Sequence, residues 1–251
     1  GGFLPTNSLN NIIETNFQKT ILIFALLISM LNFFLIFNIF DKKTLIKDHK
    51  EDLYLFFLFI ILIALVYFNK NSSFDLIISV ASSLSNSGLT LIKSNNLSLY
   101  FLFITLIGGS LISNTSGIKL ARFYILLKIS SSEILKLISP NSVINKTIFA
   151  SDKKITDDNV KISFLIFISF FLSLFILSSF LVLDNIGFEK SFKLSILTLT
   201  NTVNSELFNI ENLNFTNLLT SSKISLIIFM IIGKIELISV FLIFKKILFK
   251  D

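Results

Sequence analysis

The sequence predicts an all-α polytopic membrane protein, and three observations carry that reading. Hydrophobic residues make up 53% of the 251 positions and charged residues only 15%, with a mean hydropathy of +0.82. A soluble core of this length needs far more surface charge. Apolar runs near Ile21–Phe40, Leu53–Phe68, Leu97–Leu127, Ile162–Leu183 and Ile224–Phe249 are each long enough to span a bilayer, or nearly so. Finally, lysines cluster in alternate loops, as the positive-inside rule requires.

The elements follow in order. A first span, Thr20–Phe40, runs from outside to inside, and the loop Asp41–Asp52 is cytoplasmic, with Lys42, Lys43, Lys47 and Lys50. The span Leu53–Phe68 returns outside. Asn71-Ser72-Ser73 is a helix-start signal before the apolar stretch Phe74–Leu84. That stretch is roughly 16 Å long as a helix, too short to cross, and suits a re-entrant half-helix. The turn Ser85-Asn86-Ser87-Gly88-Leu89-Thr90 follows it.

Next comes the apolar segment from Leu97 to Lys128. As one helix it would be roughly 48 Å long, against roughly 30 Å of hydrocarbon. Its middle, Gly108-Gly109-Ser110-Leu111-Ile112-Ser113-Asn114-Thr115-Ser116-Gly117, is poor material for a lipid-facing helix. Irregular backbone at membrane depth survives only where protein buries it or a wet cavity solvates it. The segment therefore reads as a broken helix lining a pathway. The plainer alternative is one long tilted helix with a small-residue packing patch.

The same order then recurs. Ile129–Lys161 is a cytoplasmic loop, Ile162–Leu183 a span, Asp184–Lys190 a turn, Ser191–Leu199 a short apolar stretch, and Thr200-Asn201-Thr202-Val203-Asn204-Ser205 a polar turn. Ile224–Phe249 returns inside. The polar turns match: Leu84-Ser85-Asn86-Ser87 and Leu199-Thr200-Asn201-Thr202 lie 115 positions apart. Gly2-Phe3 before the first span reads as the tail of a preceding unit. The chain opens Gly1-Gly2-Phe3 rather than with Met, and is expected to lack the N-terminal part of the natural protein. Internal repeats of this size are a transporter signature.

Composition narrows the chemistry. There is no cysteine, hence no disulfide framework and no thiolate metal site. The one histidine, His49, sits in a charged loop. Lys, Asn and Phe are so abundant that isolated matches to them mean little. The net charge of +6 is topological and does not indicate nucleic-acid binding. A half-helix entering from outside points its partially negative C-terminal end at the membrane centre. A turn after it offers backbone carbonyls, which can replace a cation's water shell. Gly88 suits such a turn because glycine tolerates positive φ. The hydroxyls of Ser85, Ser87, Thr200 and Thr202 add potential oxygen ligands. With no carboxylate in either turn before Glu206, a weakly held monovalent cation fits better than a caged divalent one.

These units resemble the Trk/Ktr/HKT superfamily of potassium uptake proteins, specifically the bacterial Trk-type membrane subunit. Ile107-Gly108-Gly109 through Gly117-Ile118-Lys119-Leu120-Ala121-Arg122 is similar to that family's glycine-rich third-repeat inner helix. Pro140-Asn141-Ser142-Val143 resembles its following cytoplasmic motif, and Gly233-Lys234-Ile235-Glu236-Leu237 its Gly-Arg-x-Glu motif. Ser29-Met30-Leu31-Asn32-Phe33 fits the second-repeat inner helix less specifically. The resemblance covers essentially the whole chain. It implies residues 1–40 as the end of a second filter with its inner helix, 41–128 and 162–251 as third and fourth span–P-loop–span repeats, and 129–161 as a cytoplasmic loop.

The resemblance further implies a cation pore of pseudo-symmetric repeats in the bacterial inner membrane, with no enzymatic activity and no cofactor. The ion would be potassium, with sodium as the alternative. The filter would comprise Gly2, Ser85, Asn86, Ser87, Gly88, Thr200, Asn201, Thr202 and Val203. The gate would comprise Gly108, Gly109, Ser113, Asn114, Thr115, Ser116 and Gly117. Lys234 would project its charge into the pore, or else tie its helix to a P-loop. Lys119 and Arg122 would extend to the cytoplasmic interface. Expected partners are membrane lipid, a second copy in a homodimer and a cytosolic nucleotide-binding regulatory subunit; no nucleic acid is expected. Two departures stand out. Val203 occupies a filter position where the family has glycine and cannot easily take positive φ, and Ser116 interrupts a glycine cluster. A solute permease without a filter, or an integral-membrane enzyme, are the competing readings. The latter lacks an acid–base cluster on any span.

Overall fold

Polar sequence in the middle of an apolar segment has to find backbone partners elsewhere, and two interrupted segments in this chain find them in each other. The computed structural model describes residues 12–40, 50–66, 73–89, 91, 97–139, 147–149, 154–202, 207, 208, 210 and 218–235. Gly2, Val203, the Pro140–Val143 motif, Glu236 and Leu237 lie outside them.

The first segment is helical over α1 (Asn16–Met30) and α2 (Phe33–Phe40). Thr15 opens α1 with a capping box: its Oγ1 accepts from the Gln18 N–H, and Gln18 Oε1 accepts from the Thr15 N–H. By hydropathy Thr20–Phe40 is one continuous span. The structure breaks it at Leu31-Asn32, where Leu31 is extended and Asn32 restarts the helix by accepting from the Phe34 N–H at 3.0 Å. The Asn32 N–H in turn donates to Asp52 Oδ1 at 2.8 Å.

α3 (Lys50–Val66) presents Leu53, Phe56, Phe57, Ile60 and Ile61 outward, as a lipid-facing helix does. α4 (Ser73–Leu84) is a 12-residue helix, about 18 Å long, packed against α1, α3 and α5. Lys19 on α1 pairs with Asp75 on α4 at 2.8 Å.

The segment 97–128 is not one helix. α5 (Ser98–Leu106) ends in β1 (Ile107–Gly108), the chain loops out over 109–117, and β2 (Ile118–Lys119) leads into α6 (Leu120–Ile138). β1 and β2 pair in parallel, Ile107 with Ile118 and Gly108 with Lys119. α6 carries ten residues beyond Lys128, and α7 (Asp157–Leu183) begins five residues before Ile162, so both helices reach into what the sequence reading took as the loop 129–161.

α7 has 27 residues and, among the described residues, is the helix long and apolar enough to cross a membrane by itself. Thr156 caps it, accepting from the Asn159 N–H, and Asp157 and Asp158 complement the helix dipole. α8 (Phe188–Leu199), again 12 residues, packs against α7, α9 and α5, mirroring the place of α4. α9 (Thr220–Ile235) closes the described part. Both short helices are buried toward their C-terminal ends, Ile78–Leu84 and Leu194–Leu199. Neither is a lipid-facing span.

Candidate functional site

The turns after the two short helices are built alike. In the first, the N–H groups of Ser85, Asn86 and Ser87 donate to the carbonyls of Ala81, Ser83 and Ser82 at 2.9, 3.3 and 3.0 Å. In the second, Thr200, Asn201 and Thr202 donate to Ile196, Thr198 and Leu197 at 2.9, 3.1 and 2.9 Å. The asparagines take the same left-handed conformation, φ +55° for Asn86 and +54° for Asn201. That conformation reverses the chain at the helix end, and asparagine tolerates it better than other side-chain-bearing residues. The matching [Ser/Thr]-Asn-[Ser/Thr] triplets therefore share one local geometry.

The turns also meet. Gly88 has φ +73°, and a β-carbon there would lie 3.3 and 3.4 Å from the Thr202 carbonyl carbon and oxygen. The hydroxyls are largely engaged inside their own turns. Ser82 and Ser87 lie 2.9 Å apart, Thr200 and Thr202 lie 2.6 Å apart, and Ser85 donates to the Ser82 carbonyl. What two helix C-termini with reversed backbone can offer a cation is then chiefly carbonyl oxygen.

Both asparagine side chains are aimed at the irregular loop. Asn201 Nδ2 donates to Ser116 Oγ at 3.4 Å and to the Met230 carbonyl at 3.0 Å. Asn86 is buried, its side-chain Nδ2 lies 3.3 Å from where a Gly117 β-carbon would sit, and neither Nδ2 nor Oδ1 has a hydrogen-bond partner among the described residues.

The loop itself is tightly braced. The Gly109 N–H donates to Thr115 Oγ1 at 2.8 Å, and Ser113 Oγ donates to the Ser110 carbonyl at 2.7 Å. Lys119, only 4% exposed, turns its ammonium inward onto the Thr115 carbonyl at 2.6 Å and the Ser113 carbonyl at 3.2 Å. It does not extend to the interface as one sequence reading allowed. Lys234 on α9 donates to the Asn114 carbonyl. The sequence reading had the ammonium either in the pore or on a P-loop; here it lies on the irregular loop.

Two partners escaped the sequence reading. The loop docks on the break between α1 and α2: the Ser110 N–H donates to the Met30 carbonyl at 3.0 Å, and the Phe33 N–H donates to the Ile112 carbonyl at 2.9 Å. Gly109 permits this, since a β-carbon there would come within 2.4 Å of the Met30 oxygen. From α3, Glu51 Oε1 accepts from the Leu111 N–H at 2.7 Å. Asn32 inside an apolar run was the available signal for the first; Glu51 carried none.

Similarity to known proteins bears on this arrangement. The fold superimposes on the crystal structure of the potassium transporter TrkH from Vibrio parahaemolyticus with a TM-score of 0.84, over 97% of this chain and 55% of that one, at 19% identity. The chain has the TrkH fold. In sequence, 184 residues are 29% identical to an uncharacterised cation transporter of Methanocaldococcus jannaschii, covering 70% of this chain and 37% of that protein. No family model matches. The chain thus spans about half of the TrkH structure and just over a third of the archaeal relative. The likeness to TrkH is one of fold, and it extends over 97% of this chain.

Proposed function

We propose that this chain forms part of a monovalent-cation uptake pathway, with potassium as the ion, in a bacterial inner membrane. Residues 41–128 and 162–251 act as two span–P-loop–span repeats around a pore, and residues 1–40 as the end of a preceding one. Ser85, Asn86, Ser87 and Gly88, with Thr200, Asn201 and Thr202, form two quadrants of a carbonyl-lined filter; Gly2 and Val203 belong to the same filter by position in the sequence. The loop 108–117 is the gate beneath it, and Lys234 holds the gate through Asn114. The observation that carries the reading is the pair of like-built turns meeting at Gly88 and Thr202, over a loop to which both turn asparagines point.

The relatives' names, potassium transporter and cation transporter, support the ion class. By the same resemblance the functional unit is a homodimer in lipid, regulated by a cytosolic nucleotide-binding subunit, and it carries ions without catalysing a reaction. The test is growth of a potassium-uptake-deficient bacterium expressing the full-length protein. Rescue at low potassium with rubidium or potassium uptake supports the proposal. Correct membrane insertion without cation uptake, or uptake of a neutral solute instead, overturns it.

A further inference from the structure

The start of α3 carries two neighbouring carboxylates, and each reaches one of the two interrupted segments. Asp52 Oδ1 accepts the Asn32 N–H at the α1–α2 break. Glu51 Oε1 accepts the Leu111 N–H on the loop at 2.7 Å. The Glu51 carboxylate is also hydrogen-bonded by the backbone of Ala121, in the first turn of α6. Leu111 and Ile112 are the exposed tip of the loop, at 42% and 41%. A cavity of about 300 Å³ opens beside them, with Lys50, Glu51, Leu111, Arg122, Asn159 and Ser163 in its wall. This is the lysine-rich side, which the charge distribution assigns to the cytoplasm.

We infer that Glu51 is a positioning residue of the gate, whose carboxyl straps the loop tip to the start of α6 and lets it go as cytosolic pH rises. The inference rests on reading 108–117 as a gate. Its physics is a linkage between loop position and protonation. Burial pushes the Glu51 carboxyl up to about 7; the Leu111 and Ala121 N–H groups and the Lys119 ammonium oppose the rise, and Asp52 adds to it. The other charged groups at the cavity wall are Lys50 on α3 and Arg122 on α6. α7 contributes the neutral Asn159 and Ser163, while its Asp157, Asp158 and Lys161 do not line the cavity.

The sign follows from which state holds the proton more tightly. With the loop docked, Glu51 keeps its proton up to about 7. With the loop displaced, the carboxyl meets cavity water and returns toward the ordinary glutamate value. The docked state is therefore favoured below that pH, and the preference is lost as pH rises through it. Between pH 6 and 8 the ratio of displaced to docked loop rises about tenfold.

The test uses the full-length protein in sealed vesicles, with rubidium flux measured per folded molecule and only the pH of the lysine-rich side varied. Flux is expected to rise about tenfold from pH 6 to pH 8. Glu51→Gln, which mimics the protonated acid and can still accept the Leu111 N–H, should stay at the low level at both values. Glu51→Ala, which removes the strap, should be high at both. In a full-length background with any cysteine outside these 251 residues replaced, Ile112→Cys gives a second readout: thiol labelling faster at pH 8 than at pH 6, and equal at both when Glu51→Gln is added. A Glu51→Gln protein that keeps the wild-type pH slope, or a Glu51→Ala protein with wild-type flux, overturns the inference. A shortened loop distinguishes this from failure of the gate reading. If shortening raises flux while Glu51→Gln keeps the slope, only the role of Glu51 falls; if shortening changes nothing, the gate itself falls.

Discussion

Gly233 of α9 packs so closely on Leu199, the last residue of α8, that a β-carbon at Gly233 would lie 2.1 Å from the Leu199 carbonyl oxygen. No side chain fits there, because the obstructing atoms are backbone. The contact sets the height of the Thr200–Thr202 turn relative to the last helix. Gly233→Ala is expected to push α9 and the turn apart. Overpacking of this kind costs about 1–3 kcal/mol. The checks are the unfolding temperature in detergent and the ratio of rubidium to sodium uptake; both should fall. An Ala variant with unchanged stability and unchanged ion preference would show that the contact does not shape the turn.

The second prediction concerns the loop. Removing Leu111–Asn114 takes away the tip, together with the Glu51 and Lys234 attachments, and leaves the β1–β2 pair intact. If the loop is the proposed gate, cation flux through the full-length protein should rise, since the gate is shortened. Normal insertion with unchanged flux would make residues 108–117 a packing element only.

Lys234 supplies a third. Its ammonium donates to the Asn114 carbonyl, and a charge-assisted hydrogen bond contributes about 1.5–3 kcal/mol. Lys234→Gln should raise flux per folded molecule about tenfold, whereas Lys234→Arg, which keeps charge and donor, should stay near wild type. Equal transport by the Gln variant and wild type, measured against the amount of folded protein, would remove Lys234 from the gate.

A fourth concerns Asp52, which is 4% exposed and satisfies the Asn32 N–H where α1 stops. Asp52→Ala leaves that buried donor without its acceptor, at a cost of about 1–3 kcal/mol. Asp52→Asn keeps an acceptor and should cost less. Thermal unfolding should order the proteins wild type, Asn, Ala. Amide exchange at Asn32 should be fastest in the Ala variant. An unchanged Ala variant would mean that the α1–α2 break is held by the loop contacts alone.

Much of this arrangement was legible from local sequence. A largely apolar stretch of eleven positions bounded by a helix-start signal and a Ser-Asn-Ser turn is too short to cross a bilayer, and α4 and α8 do end at their Ser-Asn-Ser and Thr-Asn-Thr turns. Gly108-Gly109 through Gly117 announced an interruption for the same local reason. The break at Leu31-Asn32 was not legible, because its cause is distant: Asp52 lies 20 positions on, and the loop carbonyl that receives the Phe33 N–H belongs to Ile112. Lys119 failed differently. A four-carbon side chain near a helix start can turn inward or outward, and only the folded oxygens of Ser113 and Thr115 decide which. Glu51 read as the edge of a charged loop, because nothing adjacent marks a carboxylate that will find a backbone N–H sixty positions away.

The short parallel pairing of Ile107 with Ile118 and Gly108 with Lys119 makes the loop an eyelet stitched shut at its base. Its two ends stay side by side whatever residues 109–117 do, so α5 and α6 need not change their spacing when the eyelet moves. Closing such a loop costs only about 0.6 kcal/mol more for each doubling of its length. The eyelet can therefore be lengthened or trimmed almost freely while the helices around it hold still.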